Sequence, residues 1–184
     1  MKTLFIDTHG EVLTVGLLIN DKLNKVEIES VNGHASVCLP TIDSILKEEG
    51  IETKDLDRVV VVNGPGSFTG IRIGLSIAKT IGYALGIPTY PVSSLDAYLV
   101  SSDINDDKMC VIPDSKGYYE CVWDKDNNVV LKSQYMDDIS NLKYKRVENK
   151  LDIKKICEYV QNDKVINVNL ISANYVKKIG VGND

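Results

Sequence analysis

Residues 58–86, RVVVVNGPGSFTGIRIGLSIAKTIGYALG, constrain this chain more than any other stretch. Arg58–Val62 is an apolar run behind one arginine, as expected of a strand covered on both faces. A loop carrying Gly64, Gly66 and Gly70 follows, and then a helix predicted over 71–85, closed by Gly86 and Pro88. Gly70, Gly74, Ala78, Gly82 and Gly86 recur every four residues, which leaves one helix face almost bare. Glycine inside a helix costs up to about 1 kcal/mol relative to alanine, so Gly74 and Gly82 need a reason. The usual one is a helix or backbone that must come very close. Ile71, Leu75, Ile81 and Leu85 flank the stripe, and Ile73, Ile77 and Ala84 coat more of the helix. One side can pack on a sheet, and the remainder needs a second cover. That cover is either a neighbouring helix of the same chain, predicted over 36–49, or a partner protein.

A strand, a glycine loop and a helix are also the grammar of phosphate binding. The spacing fails both standard forms. A P-loop, GxxxxGK[ST], needs four residues between its glycines and then Lys-Ser/Thr; here five separate Gly64 from Gly70, and Ile71-Arg72 follows. A dinucleotide fingerprint, GxGxxG, is one residue shorter than Gly64–Gly70 and opens a βαβ unit, which this loop does not. A weaker reading keeps Ser67, Thr69 and Arg72 as an anion site at the helix start, with Thr69 as N-cap. Its competitor is a tight turn with a capped helix.

The flanking segments place this unit in a larger order. Lys2–Asp7, Val12–Ile19 and residues 22–31 read as three strands joined by the short links THGE and ND, an antiparallel meander. Leu39, Ile42, Ile45 and Leu46 carry a helix between His34 and Glu49; Pro40 places its start near Ser36 or kinks it. After Leu85, Pro88–Pro91 leads into a short strand, and a helix over 93–100 takes Ser93 or Ser94 as its cap. The polar stretch SSDINDDK, 101–108, is the boundary candidate. Met109–Ile112, Tyr118–Trp123 and Asn128–Leu131 read as a second meander, with Trp123 on a strand, and Asp152 caps a helix burying Ile153, Ile156, Cys157 and Val160. The order repeats without sequence repetition, so the fold class is α/β with a structural duplication: residues 1–103 complete, residues 104–184 smaller.

Composition narrows the chemistry. The 184 residues carry a net charge of −5 with no basic block, which disfavours direct, affinity-driving contact with nucleic acid. No run approaches a membrane span or a signal-peptide core, so a cytoplasmic location is expected. The four cysteines (Cys38, Cys110, Cys121 and Cys157) are dispersed without a CxxC, as buried free thiols would be. The two histidines, His9 and His34, form no HxxxH or HExxH, and no GxSxG is present. Neither a metal site nor a catalytic residue is expected. Asp7 ends the first strand, where actin-like ATPases and sugar kinases carry Asp-x-Gly-Thr/Ser. His9 occupies the glycine position, so Asp7, Thr8 and His9 read as a degenerate phosphate turn.

The sequence resembles the TsaB (YeaZ) family, bacterial proteins of threonylcarbamoyladenosine synthesis beside the tRNA anticodon. NGPGSFTGIRIGLSIAKTIGYAL is close to its signature, FIDTHGEVLTVGLL to its Asp-Thr-Ser opening, and His34-Ala-Ser-Val-Cys-Leu-Pro40 to its His-Ser-Glu-x-Leu-Leu-Pro helix. PVSSLDAYL is similar to its Val-Ser-Ser-Leu segment. PDSKGYYECVW takes the place of its Asp-Ala-Arg hairpin, and ANYVKKI resembles its tail. The resemblance is strong over 1–100 and thin over 101–184. It implies an actin-like, ribonuclease-H-like (ASKHA) fold with two related subdomains of mixed sheets flanked by helices, the second reduced. It also implies a non-catalytic scaffold, without a cofactor of its own, that binds the catalytic paralogue TsaD and the ATPase TsaE. ATP is then held by the partner subunits, and tRNA is met only through the complex. The alternative is a self-sufficient ATP-dependent kinase or carbamoyl-transferring enzyme of the same fold; a metallopeptidase is disfavoured by the histidine count. The partner interface expected on this basis comprises Gly70, Ile71, Gly74, Leu75, Ala78 and Gly82 with Val37 and Thr41, and the same patch would pair with itself in a homodimer.

Overall fold

A computed structural model describes residues 1–29, 33–139, 143–163 and 167–176. The first sheet has five strands: β1 (Lys2–Asp7), β2 (Val12–Ile19), β3 (Lys22–Glu29), β4 (Arg58–Val62) and β5 (Thr89–Val92). Their order is β3-β2-β1-β4-β5, with β1, β2 and β3 antiparallel and β4 and β5 parallel to β1. The second sheet has β6 (Lys108–Asp114), β7 (Gly117–Trp123), β8 (Val129–Met136) and β9 (Lys145–Arg146). It repeats the first four places of the same order, β8-β7-β6-β9, with β9 parallel to β6. This is the expected actin-like duplication. Residue 31, at the end of the predicted third strand, lies outside the described residues, as do residues 177–184 of the tail.

Four helices complete the layers: α1 (His34–Glu48), α2 (Phe68–Leu85), α3 (Ser94–Ser101) and α4 (Ile153–Tyr159). α1 and α2 cover one face of the first sheet, where Leu4, Ile6, Val15, Val59 and Val61 meet Ile42, Ile45, Ile71 and Leu75. α3 and α4 cover the other face, burying Phe5, Val60 and Val62 against Ala97, Ile153 and Ile156. The same α3 turns Leu95, Tyr98 and Leu99 onto the second sheet against Cys110, Ile112, Tyr119 and Trp123. The α3–α4 layer is thus shared between the sheets. Arg58 ties it further: from the start of β4 it donates to Thr3 Oγ1 at 2.8 Å and to the Cys157 carbonyl at 3.2 Å. The far face of the second sheet carries a small cluster of Met109, Val111 and Val122, with Ile139 and Tyr144 packed on it and no helix among the described residues.

Two of the predicted helix caps hold. Ser93 Oγ accepts from Asp96 N and Asp152 Oδ1 from Lys155 N, so both start their helices as expected. All four cysteines are free and buried, and burial pushes the thiols of Cys38 and Cys157 up to about 11. α1 begins at His34, the early limit of the predicted span, with Pro40 inside it, whereas α2 begins at Phe68, three residues before its predicted start. The bond that Pro40 cannot make would go to the Ser36 carbonyl, and both residues are exposed, so the missing bond falls on the solvent side of the helix. β8 runs five residues past the predicted end at Leu131, to Met136, because Tyr118–Glu120 of β7 continue the ladder.

Candidate functional site

The glycine loop lies against the turn that leaves β1, and the two are closed on each other. Ser67 N–H donates to the His9 carbonyl at 2.8 Å, and Thr8 Oγ1 donates to the Gly70 carbonyl at 2.7 Å. A Cβ on Gly66 would stand 2.5 Å from the His9 carbonyl oxygen and about 3 Å from its ring. Gly66 also has φ +154°, within the range that side chains rarely adopt. Gly66 is needed because another backbone lies where a side chain would stand.

The small-residue stripe of α2 has the same cause, and this corrects the expected interface. A Cβ on Gly70 would overlap the Thr8 carbonyl oxygen, one on Gly74 the Thr8 hydroxyl, and one on Gly82 the Thr89 hydroxyl. Ile71, Leu75 and Ala78 are buried in the first core. Gly70, Ile71, Gly74, Leu75, Ala78 and Gly82 therefore face the chain's own sheet and do not line a partner surface. The close approach is real, but it is of helix to strand. On α1, Thr41 is buried and donates to the Val37 carbonyl at 2.7 Å, while Val37 is half-buried against the same core. The cover of α2 is internal on the sheet side and on the α1 side.

The anion reading loses two of its three residues in their expected roles. Ser67, not Thr69, is the N-cap of α2; its Oγ accepts from Gly70 N at 3.2 Å. Thr69 is exposed one residue inside the helix, too late to cap it. Arg72 is taken up beside the helix start: its Nε donates to Tyr175 Oη at 3.0 Å, and its guanidinium lies 3.7 Å from the Phe68 ring centroid.

Beneath the loop, Asp7, His9 and Tyr98 form a buried chain of polar groups. Asp7 Oδ1 accepts the His9 backbone N–H at 2.9 Å and is 2.7 Å from His9 Nδ1; Tyr98 Oη is 3.2 Å from His9 Nε2. Burial alone would lower the His9 pKa, but the charge and hydrogen bond of Asp7 carry it above the ordinary histidine value. Burial, with the Asp7 charge behind it, pushes the Tyr98 phenol up. Ser94 fastens α3 to the loop as well, donating from its backbone to the Gly64 carbonyl and from Oγ to the Pro65 carbonyl. The turn, the loop and α3 are thus joined at the base of a cleft of about 1120 Å³, lined by His9, Ser67, Tyr98, Asp114 and Tyr175 among others. Tyr98 was not singled out in the sequence, where its spacing with Leu95 and Leu99 marks only a buried helix face. Among the described residues no cluster of His, Cys, Asp or Glu could hold a metal ion. No described helix is long and apolar enough to cross a membrane.

A family model described as TsaD, tRNA N6-adenosine threonylcarbamoyltransferase, matches residues 28–181. The chain is 39% identical over 97 residues to the tRNA threonylcarbamoyladenosine biosynthesis protein TsaB of Bacillus subtilis, covering 52% of this chain and 42% of that protein. It is 34% identical over 94 residues to the protein of the same name from Haemophilus influenzae, covering 51% and 40%. The matched stretch therefore spans less than half of these relatives' lengths. Among solved structures, a Pseudomonas aeruginosa protein described as uncharacterized, with similarity to peptidase YeaZ, superposes with a TM-score of 0.80 at 16% identity, covering 96% of this chain and 99% of that one. YeaZ from Pseudomonas aeruginosa superposes with a TM-score of 0.65 at 24% identity, covering 74% and 69%. These likenesses carry the fold.

Proposed function

Because the chain belongs to the tRNA N6-adenosine threonylcarbamoyltransferase (TsaD) family, and within it resembles the TsaB (YeaZ) proteins, we propose that it serves threonylcarbamoyladenosine synthesis on tRNA as a non-catalytic subunit. It binds the catalytic TsaD homologue of its own organism, with the TsaE homologue joining them, and meets tRNA only through that complex. The observation that supports this reading most is the closed turn. A phosphate site at the end of β1 needs free backbone N–H groups and room at the third residue of the turn. Here His9 fills the room, and Ser67 N–H is spent on the His9 carbonyl. Asp7 is spent on His9 in turn, so it is not free to meet a metal-bound phosphate. ATP then belongs to the partners.

The second reading, a self-sufficient ATP-dependent kinase or carbamoyl-transferring enzyme, draws on the cleft, which is large enough for a nucleotide and has Asp114 in its lining. One reconstitution separates them. The purified chain alone should show no steady ATP turnover, and tRNA modification by the mixed subunits should fail when this chain is left out. ATP turnover that follows the pure chain and disappears in Asp7→Asn would establish the second reading instead.

A further inference from the structure

Two of the four free cysteines face each other. β6 and β7 are antiparallel, and their register sets Cys110 directly opposite Cys121. Opposed residues point to the same side of a sheet, and both thiols lie in the cluster that packs on Leu95, Tyr98 and Leu99 of α3. Opposed Cα atoms stand about 4.5–5.5 Å apart, inside the span of about 4.4–6.8 Å that a disulfide bridges. Opposed Cβ atoms, also about 4.5–5.5 Å apart, need close by only about 1 Å to reach disulfide geometry. Cys38 lies in the first core and Cys157 beneath α4, each in a cluster without a second cysteine.

Both thiols of the pair are buried. Burial, and then the charge of Cys121, push the Cys110 thiol up; burial pushes Cys121 up to about 11. Both therefore stay protonated and unreactive while the sheet is closed. The way in lies at Cys121. The β7–β8 ladder runs from Tyr118↔Met136 to Glu120↔Gln134 and resumes at Val122↔Leu131, so Lys132 and Ser133 of β8 stand against Cys121 alone. At that irregularity the Cys121 thiol donates to the Leu131 carbonyl at 3.3 Å. β8 is the edge of the sheet, and its residues are half-buried or exposed. An edge strand with an interrupted ladder is a place where a sheet opens locally at low cost.

We propose that Cys110 and Cys121 are a redox modification site, forming a reversible cross-strand disulfide with a low-molecular-weight disulfide as the oxidant. When β8 opens, the Cys121 thiolate attacks the reagent disulfide; a mixed disulfide forms and one reagent thiol leaves. The Cys110 thiolate then attacks Cys121 Sγ, the S–S bond between the strands forms, and the second reagent thiol leaves. The two protein thiols lose two electrons to the reagent disulfide, and their two protons end on the two released thiols. A reducing dithiol runs both steps backwards. The bridge ties β6 to β7 directly against α3, the helix that the two sheets share.

The test incubates the purified chain with oxidised glutathione, with circular dichroism to confirm that it stays folded. The remaining thiols are then blocked with iodoacetamide in denaturant, and the peptides are mapped by mass spectrometry without reduction. A peptide pair joined through Cys110 and Cys121, lighter by two hydrogens, is expected, with two of the four thiols lost. Dithiothreitol should restore both. Cys38 and Cys157 should remain open to alkylation throughout. Cys110→Ser should stop at the mixed disulfide on Cys121, and Cys121→Ser should leave Cys110 unmodified. Should either variant fail to fold, the wild-type map decides alone. Cys110 and Cys121 both found free after the folded chain has met the oxidant would overturn the proposal. So would a bridge that appears only in urea, a bridge to Cys38 or Cys157, or loss of the Cys110 thiol in a folded Cys121→Ser variant at the wild-type rate.

Discussion

In the first half of the molecule, β1 turns into β2 through Thr8–Glu11, and Thr8 and His9 are buried beneath α2 and α3; in the second, β6 turns into β7 through Ser115 and Lys116, and both are exposed. The strand order is the same in the two halves. What differs is the layer above. The first half inserts α1 before β4 and follows β4 with the glycine loop and the long α2, which closes over the turn. The second half has no described helix between β8 and β9, and α4, which follows β9, packs on the first sheet instead. A duplicated sheet thus supplies two equivalent turn positions, and the helices decide which becomes a closed junction and which stays at the rim of a cleft.

Overfilling the closed junction should have a large effect. Gly74→Leu must push α2 off β1, because even a Cβ there overlaps the Thr8 hydroxyl. A loss at the upper end of the usual 1–3 kcal/mol for overpacking, or more, is expected. Thermal denaturation followed by circular dichroism reads it; a fully folded Gly74→Leu variant of wild-type melting temperature would show that the stripe does not pack as described. Gly10→Ala, in the same turn but with open space around it, should be near neutral.

Ile156→Ala removes a fully buried side chain from the shared α3–α4 layer. We expect a loss of about 2–5 kcal/mol in urea denaturation, in one transition that moves as a whole. Two separate transitions would mean that the halves unfold independently and that the layer does not couple them.

Tyr98→Phe deletes the hydroxyl that reaches from α3 to His9. The loss should be about 0.5–1.5 kcal/mol. His9 also gives the junction a pH dependence that the open turn lacks. Its folded-state pKa is raised, so its contribution to stability is complete below the unfolded value of about 6.5 and is lost as pH rises through the folded value. Melting temperatures between about pH 5.5 and 8.5 should show that decline in the wild type and a flatter profile in His9→Gln. Identical profiles would remove His9 as the source.

Ser93→Ala should cost about 1 kcal/mol through the lost cap of α3, read by thermal denaturation. It serves as the scale for an ordinary helix end, against which the Tyr98 and His9 effects are to be judged.

Much of this arrangement is set by local chemistry and could be read from the chain. The meander Lys2–Ile19, the apolar β4, the caps Ser93 and Asp152 and the buried face of Ile153, Ile156 and Cys157 follow from periodicity and hydrogen-bonding side chains. The glycine stripe was legible too, as a face that something must approach within less than a side chain's width. Its partner was not. A bare helix face states a distance, not a neighbour, and a facing strand satisfies it as well as a facing helix does. Only the tertiary structure sets Thr8 and Thr89 opposite Gly74 and Gly82, because they lie 66 and 7 residues away along the chain and meet α2 through the pairing of β1, β4 and β5. The junction of Asp7, His9 and Tyr98 has the same character: Asp7 and His9, legible only as one altered turn, and Tyr98, which no pattern marked out, are made into one buried chain by the packing of α3 between two sheets. Sequence fixed the reach of each element, while long-range packing chose what each one touches.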